Sequence, residues 1–321
     1  MTLQATVFIP VTKGANSPMP VSHTASEHCK RQLLERVRYD IPEVVTQALQ
    51  NAPAGKRHPD HPLVTRLVSE TQRSQAQLIS HEDGIFCGKA WAEAVLQQIS
   101  PDITWQWHTS DAAAIHQGQI LATLTGPATA LLSAETSVLH FLQTLSGIST
   151  RFSHTLSQLA DTQLRVMDSL NTQPGFSNAI KYALLCGDHT AQRLDLSDLI
   201  PINENHIIAC GSVVSAIENA RWIDPDRPIE VTVTSFTQFS QALVAGADLI
   251  QLQNFTLPEV NAAVTERHKQ QVSPMLIISG QNTCQHLPAL SHTGVDYLSA
   301  NALLNQPQPL NISLQFLPAS A

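Results

Sequence analysis

Charged residues are few in this sequence. Charged residues make up 14% of the 321 positions, against about 25% in an ordinary globular chain. The 18 Lys and Arg face 26 Asp and Glu, which gives a net charge of −8, and glutamine alone occurs 28 times. Nucleic-acid recognition depends on clustered Lys and Arg. A chain with so few charged residues and a net negative charge is expected to have no nucleic-acid partner.

Cysteine motifs and long apolar runs are missing as well. The five cysteines are scattered and include no CxxC pair, so neither a disulfide framework nor a zinc site follows. No apolar run is long enough to span a bilayer, and prolines interrupt any signal-peptide core near the first residue. We therefore expect a cytoplasmic protein with no membrane partner and no metal. Hydrophobic residues, at 43%, suffice for a large core.

The first part of the chain has a mixed pattern. Residues 1–26, rich in Thr, Ser and Pro, predict a flexible arm. A long apolar helical region is predicted over 127–162, with an interruption near Ser146 and Gly147. The shorter predicted elements are helices over 28–50 and 89–99 and strands over 75–80 and 119–125.

From residue 164 the pattern becomes regular, because short apolar strands alternate with helical stretches. Such repeats predict a parallel sheet covered by helices. No GxGxxG follows any strand, so an α/β barrel is favoured over a dinucleotide-binding fold. The expected strands are 164–168, 199–203, 229–234, 249–254, 275–279 and 295–300, and the expected helices are 176–186, 212–222, 236–245, 257–270 and 284–292.

The carboxyl ends of these strands are where a barrel carries its chemistry. Most side chains predicted there are neutral amides and hydroxyls, and the acids are Asp168 and Glu204. The segment after the helix over 176–186 adds Arg193. A site for phosphates or carboxylates normally presents several Arg or Lys, so the spacing alone predicts an uncharged pocket.

Two groups of polar residues leave alternatives open. Asp188, His189 and His206 have the side chains of a metal site, but histidines in loops and at strand ends are more often solvated. Glu204 and His206 form either an acid–base pair or part of a structural turn. Spacing does not decide between these interpretations.

Two further positions are equally open. Asp168 is as well placed to cap the following segment as to act as an acid or base. Ser279 and Gly280 precede a predicted helix and either donate backbone N–H groups to a phosphate or simply connect two elements.

Six stretches of the sequence carry a family signature: residues 40–49 (DIPEVVTQAL), 83–89 (DGIFCGK), 141–147 (FLQTLSG), 181–187 (KYALLCG), 204–208 (ENHII) and 294–299 (GVDYLS). Together they resemble quinolinate phosphoribosyltransferase, the carboxylating nicotinate-nucleotide pyrophosphorylase of NAD synthesis, especially its gammaproteobacterial type. The resemblance runs from residue 28 to the C-terminus.

The resemblance implies the type II phosphoribosyltransferase fold, which is of the α/β class. It predicts an N-terminal α/β sandwich-like domain over 27–135, joined by the C-terminal segment 306–321, and an open six-stranded α/β barrel over 136–305. It also implies a homodimer with sites at the subunit interface. The family reaction converts quinolinate and phosphoribosyl pyrophosphate into nicotinate mononucleotide, CO₂ and pyrophosphate, with Mg²⁺.

Most cationic positions of the family site are replaced here. Thr136 stands where the resemblance expects an arginine of the long helix that reaches quinolinate in the neighbouring subunit. Leu170 and Asn171 replace an arginine and a lysine, and Asn203 replaces a second lysine. Gln192 replaces the histidine of a glycine-rich motif.

Acidic and glycine positions are replaced too. Thr232 and Gln253 stand where carboxylates would face the ribose hydroxyls and the metal, and Gln281 and Asn301 stand where glycines would hold phosphate. The family positions that remain are Asp168, Arg193, Glu204, His206, Ser279 and Gly280.

The losses predict that the family reaction is abolished or nearly so. Each charge-assisted hydrogen bond contributes about 1.5–3 kcal/mol, so four lost cations remove on the order of 6–12 kcal/mol. A micromolar complex holds about 8 kcal/mol in total. Because the apolar βα pattern survives, we expect a folded protein with a binding or regulatory role.

Other functions remain open at this stage. One is residual quinolinate phosphoribosyltransferase activity with Mg²⁺. Another is new chemistry on a neutral small-molecule ligand, using Glu204, His206 and Arg193. A third is a mixed dimer with an active homologue, whose site Thr136 would leave without its crossing arginine.

Overall fold

The computed structural model describes residues 27–51, 67–69, 71–159, 162–167, 175–187, 199–270, 274–280, 286–299 and 308–318. The arm expected over 1–26 lies outside these residues. The helices are α1 (Glu27–Asn51), α2 (Lys89–Ile99), α3 (Ala128–Leu159), α4 (Ser177–Gly187), α5 (Glu204–Cys210), α6 (Val213–Ile223), α7 (Phe236–Ala245), α8 (Leu257–Arg267) and α9 (Leu287–Leu290). The strands are β1 (Arg73–Ser80), β2 (Gly84–Ile85), β3 (Thr104–Trp107), β4 (Ala114–Ile115), β5 (Ile120–Pro127), β6 (Arg165–Met167), β7 (Ile200–Ile202), β8 (Ile229–Val233), β9 (Leu249–Gln253), β10 (Met275–Ser279), β11 (Tyr297–Ser299) and β12 (Ile312–Phe316).

Strands β12, β1, β5 and β3 form, in that order, a four-stranded antiparallel sheet. Period-two alternation in β1 places Ala76, Leu78 and Ser80 on its buried face. Helix α3 packs against β1, β5 and β12. The last strand of the described chain therefore completes the first sheet.

Helix α3 is continuous, so the interruption expected near Ser146 and Gly147 is wrong. The Ser146 hydroxyl accepts from the backbone N–H of Cys87 (2.9 Å) and donates to the Cys87 carbonyl (3.1 Å). A Cβ on Gly147 would lie 2.1 Å from the carbonyl oxygen of Gln308. These small residues allow other segments to approach the helix closely, and they do not end it.

The second sheet has six parallel strands in the order β6-β11-β10-β9-β8-β7. Its first and second strands in chain order are its two edges, which is the arrangement of an α/β barrel left open between them. One face packs into the main core through residues such as Val231, Ile250 and Leu276. The fold class expected from the sequence is confirmed.

Two arginine–aspartate ion pairs, which we call the braces, link helices to the amino ends of these strands. Arg221 at the end of α6 donates to Asp248 (2.5 Å), whose carboxylate also accepts from the backbone N–H of Ile229 (2.8 Å). Arg267 at the end of α8 pairs with Asp296 in the same way. Both aspartates directly precede a strand, which ties helix, turn and sheet together.

Two of the differences between the predicted and the observed elements concern α5 and α9. Helix α5 was not predicted, and it begins because the Asn203 side chain caps its first turn. Of the helix expected over 284–292, residues 284 and 285 lie outside the described residues, α9 covers Leu287–Leu290, and residues 291 and 292 form turns. No helix in the described part of the chain is both long and apolar enough to cross a membrane.

Candidate functional site

The predicted site residues divide between described and undescribed positions. The following lie outside the described residues: Asp168, Leu170, Asn171, Asp188, His189, Gln192, Arg193, Gln281 and Asn301. The described ones are Thr136, Asn203, Glu204, His206, Thr232, Gln253, Ser279 and Gly280. Apart from Thr136, these lie on strands β8 to β10, directly after β7 or β10, or in the first turn of α5.

Thr136 lies on α3, far along the chain from the strand ends, and its side chain is exposed. The preceding Glu135 is partly buried, and burial raises the pKa of its carboxyl above the usual value. The short hydroxyl side chain of Thr136 carries no charge. It extends less far from α3 than an arginine would.

Asn203 and His206 are joined in a capping box at the start of α5. The Asn203 Oδ1 atom accepts from the backbone N–H of His206 (3.2 Å), and His206 Nδ1 accepts from the backbone N–H of Asn203 (3.1 Å). Nδ1 therefore acts as an acceptor, which leaves the proton of a neutral imidazole on Nε2. Both side chains hold the helix start, as the structural interpretation of this turn expects.

Glu204 is exposed in the first turn of α5. A carboxylate there interacts favourably with the N-terminal end of the helix. No hydrogen bond joins it to His206 within the described residues. The two side chains are neighbours on one helical turn, and His206 pairs with Asn203 instead of Glu204.

The inner face of the six-stranded sheet carries a small apolar cluster of its own. It consists of Met167, Leu249, Ile277 and Tyr297. Period-two alternation places Ser279 beyond Ile277 and Ser299 beyond Tyr297 on the same face, each toward the carboxyl end. The parallel register aligns Gln251 with Ile277.

Thr232 aligns with Gln251 and extends this face onto β8. We call Thr232, Gln251, Ser279 and Ser299 the neutral row. Within it, Gln251 Nε2 donates to Ser279 Oγ (2.9 Å). The row is uncharged, and Gln253 continues it as an exposed amide.

Ser299 is a buried member of the row whose hydroxyl lacks a hydrogen-bond partner among the described residues. Its side chain is 2% exposed, and its Oγ atom has no hydrogen-bond partner in the described structure. An unpaired buried hydroxyl is unfavourable by about 1–3 kcal/mol. Neither Gln251 nor Ser299 was singled out from the sequence, although their period-two spacing from Gln253 and Tyr297 was a usable signal.

Two residues at the strand ends have positive backbone φ angles. Asn254 has φ 58°, and its N–H donates to the carbonyl oxygen of Ser279 (2.9 Å). Gly280 has φ 152°, a conformation that favours glycine. These angles fix how the chain leaves β9 and β10 beside the neutral row.

The described residues do not fit Mg²⁺. This ion prefers carboxylate oxygens and phosphates, and the resemblance places the family's carboxylates at 232 and 253, where a hydroxyl and an amide stand. No group of three or more His, Cys, Asp and Glu side chains within the described residues could hold a metal ion. No step of the chemistry is therefore assigned to a metal.

Two other polar regions lie outside the strand ends. A cavity of about 320 Å³ between α1 and the start of α4 is lined partly by Asp40 and Glu43, and Asn178 Nδ2 donates to Asp40 Oδ2 (2.6 Å). Its acidic lining does not suit an anionic substrate.

The second region is buried around the start of α2. Asp111 accepts from the Tyr182 hydroxyl (2.7 Å) and from the backbone N–H groups of Gly88 and Lys89. Burial raises the pKa values of Asp111 and Tyr182. Burial, together with the neighbouring Cys186, also raises the pKa of the Cys87 thiol, so this thiol is unreactive.

Two family profiles match this chain. "Quinolinate phosphoribosyl transferase, N-terminal domain" matches residues 63–146, and "Quinolinate phosphoribosyl transferase, C-terminal domain" matches residues 148–315. The boundary between them falls inside α3.

Curated relatives and solved structures agree with these profiles. A probable nicotinate-nucleotide pyrophosphorylase (carboxylating) of Bacillus subtilis is 34% identical over 256 residues, which covers 78% of this chain and 86% of the relative. The nicotinate-nucleotide pyrophosphorylase (carboxylating) of Mycobacterium leprae is 30% identical over 292 residues, covering 90% and 96%. The structure of the Francisella tularensis nicotinate-nucleotide pyrophosphorylase has a TM-score of 0.73 and 29% identity, covering 86% of this chain and 97% of that one.

Proposed function

The chain belongs to the quinolinate phosphoribosyltransferase family of NAD synthesis, and within that family we propose that it is a member without the family reaction, which serves as a binding or regulatory protein. The observation that carries this proposal is the chemistry of the neutral row. The four side chains of the row are hydroxyls and amides, and two of them pair with each other.

The family substrates carry charges that these side chains do not balance. Quinolinate is a dicarboxylate, and phosphoribosyl pyrophosphate carries three phosphorus atoms. Burying such anions without cations is strongly unfavourable. Among the described positions, Asn203 stands where the resemblance expects a lysine, and its side chain is engaged with His206.

The transition state would lose stabilisation as well. A ribosyl centre that gains positive charge is stabilised by preorganised groups of negative charge. Thr232 and Gln253 supply a hydroxyl and an amide in place of the carboxylates that the resemblance expects. Substrate binding and the chemical step are thus both weakened.

A homodimer in the cytoplasm is part of this proposal, and so is a mixed dimer with an active homologue. The resemblance implies that, in active family members, an arginine of the long helix reaches into the site of the neighbouring subunit. Thr136 is exposed at that position of α3. A mixed dimer would leave the active partner's site without a cation, so this chain would inhibit its partner.

The experiment is a product assay on the purified protein. Quinolinate, phosphoribosyl pyrophosphate and Mg²⁺ are supplied, nicotinate mononucleotide is measured, and an active homologue is run alongside. We expect no product above the protein-free background from a dimer that light scattering shows to be well formed. Clear turnover would refute the proposal.

Mixing the two proteins tests the regulatory role. Increasing amounts of this chain, refolded or co-expressed with the active homologue, are expected to lower its activity. The matched control is Thr136→Arg, which restores the crossing cation and should relieve the inhibition. Equal inhibition by both forms, or none by either, would exclude this mechanism.

A further inference from the structure

The neutral row offers hydrogen-bonding groups that the other described residues leave unused. Gln251 donates through Nε2 to Ser279, and its Oε1 accepts no hydrogen bond within the described residues. Ser279, as the acceptor in that bond, keeps its own hydroxyl proton for donation. Reversing the Gln251 amide would exchange these roles and still leave one donor and one acceptor.

Two further hydroxyls lie on the same face. Ser299 Oγ is buried and unpaired in the described structure. The half-buried Thr232 hydroxyl makes no hydrogen bond within the described residues, and its backbone is aligned with that of Gln251. The face therefore presents hydroxyl donors beside an amide acceptor.

Two charged side chains share this face with the row. Alternation also places Arg165 on it, two residues before Met167, and Glu230 two residues before Thr232. Each of these side chains is engaged in an interaction. The row thus adds no cation for an anionic group, and a carboxylate there would be desolvated without a counter-charge.

On the premise that the family reaction is absent, we infer that the neutral row binds a small uncharged molecule through a carboxamide group. The carbonyl oxygen of such a group accepts from the Ser279 and Ser299 hydroxyls, and its NH₂ donates to Gln251 Oε1. A carboxylate has no proton to donate to Gln251, and the four side chains of the row supply it no cation.

The apolar cluster beside the row indicates that the rest of the ligand, outside its carboxamide group, is apolar. The buried Ile277 and Tyr297 lie two residues before Ser279 and Ser299, and with Met167, which is aligned with Ser299, they form an apolar surface beside the row. A flat aromatic or compact aliphatic body fits such a surface, because small-molecule sites combine apolar walls with a few placed polar groups. The ligand class is accordingly a small apolar carboxamide.

The test compares acids and amides of the same shape. Binding of nicotinamide against nicotinate, and of benzamide against benzoate, is measured by ligand-observed NMR and calorimetry with the full-length protein. We expect each amide to bind with a Kd of about 1 mM or tighter and each acid to bind at least about tenfold more weakly. If neither amide binds at about 10 mM, or if the acids bind as well as the amides, the inference is wrong.

Variants locate the binding. Ser299→Ala and Gln251→Leu are each expected to weaken amide binding by about tenfold, since each removes a ligand hydrogen bond. Ser299→Ala should leave the melting temperature unchanged or raised, because the lost hydroxyl has no hydrogen-bond partner among the described residues. The matched control is Ser240→Ala on the exposed face of α7, which should bind like the parent.

Unchanged amide binding in both row variants would place the ligand elsewhere and overturn the assignment. The outcome is separable from that of the proposed function. Product formation from quinolinate refutes the proposed function whatever the amides do. Failure of the amides to bind, with no product formed, refutes only the ligand class.

Discussion

Arg267 and Asp296 form a nearly buried ion pair at the amino end of the six-stranded sheet. The Arg267 side chain is 8% exposed, and its second guanidinium nitrogen donates to the Gly294 carbonyl (2.8 Å). The Asp296 carboxylate also accepts from the backbone N–H of Leu276 (2.7 Å). One carboxylate thus links the end of α8 to the beginnings of β10 and β11.

Removing this carboxylate should destabilise the protein strongly. Asp296→Ala leaves a buried guanidinium without its counter-charge, which is expected to lower the free energy of unfolding by about 3–5 kcal/mol. Asp248→Ala at the equivalent brace should have a smaller effect, about 1–2 kcal/mol, because Arg221 is more exposed and remains hydrated. Urea unfolding of both variants gives the comparison, and equal losses would contradict this account.

The buried Asp111 should make stability depend on pH. Its pKa is raised in the folded protein, mainly by burial, so the folded state binds this proton more tightly than the unfolded chain does. The contribution of Asp111 therefore becomes more favourable as pH falls through the folded pKa, and less favourable as pH rises. Thermal unfolding of the parent and of Asp111→Asn, which does not titrate, should show the variant gaining relative stability toward neutral pH.

The size of the Asp111 contribution follows from its three hydrogen bonds. Asp111→Ala leaves the Tyr182 hydroxyl and two backbone N–H groups at the start of α2 without this acceptor, and is expected to lower the free energy of unfolding by about 2–4 kcal/mol. Asp111→Asn keeps one acceptor oxygen and should lose clearly less. If the alanine variant is as stable as the asparagine variant, these bonds are not stabilising.

Gly147 should tolerate no side chain. In Gly147→Ala the new Cβ meets the carbonyl oxygen of Gln308, so α3 or the segment before β12 must shift. Overpacking against backbone is expected to destabilise the protein by about 3 kcal/mol. His140→Ala, at an exposed position of the same helix, is the control and should change the melting temperature little.

The capping box predicts how Asn203 and His206 depend on each other. Asn203→Ala should lower the free energy of unfolding by about 1 kcal/mol, and Asn203→Asp, which keeps the capping oxygen, should lower it much less. Because the two side chains share one motif, the double alanine variant should lose less than the sum of the single losses. If chemical denaturation shows that the two single losses in unfolding free energy add fully, the two side chains act independently and this prediction is wrong.

Periodicity predicted the barrel half of the fold well. Strands such as β10 and helices such as α7 have the expected bounds, because apolar strands buried on both faces and amphipathic helices leave clear patterns. The four-stranded sheet was harder to predict. Strand β3 is an edge strand of four residues, and β12 lies far along the chain from its partner β1, so neither is specified locally.

The site was predictable in composition but less so in geometry. The strand ends Asn203, Thr232 and Gln253 follow from the βα pattern, and so does their neutrality. Sequence spacing does not reveal that Asn203 caps α5 or that Gln251 pairs with Ser279, because both depend on side-chain distances between neighbouring segments. The unpaired state of Ser299 depends in the same way on what surrounds it.

The pairing of β12 with β1 has a consequence for the order of folding during synthesis. His81 and Ser313, whose side chains are hydrogen-bonded beside this pair, are 232 positions apart in the chain. The ribosome must release nearly the whole barrel before β1 receives its second neighbour, and a contact of such long range forms late. Until then one edge of the first sheet is unpaired and available to other strands, so the nascent chain has most need of chaperones while its second half is being made.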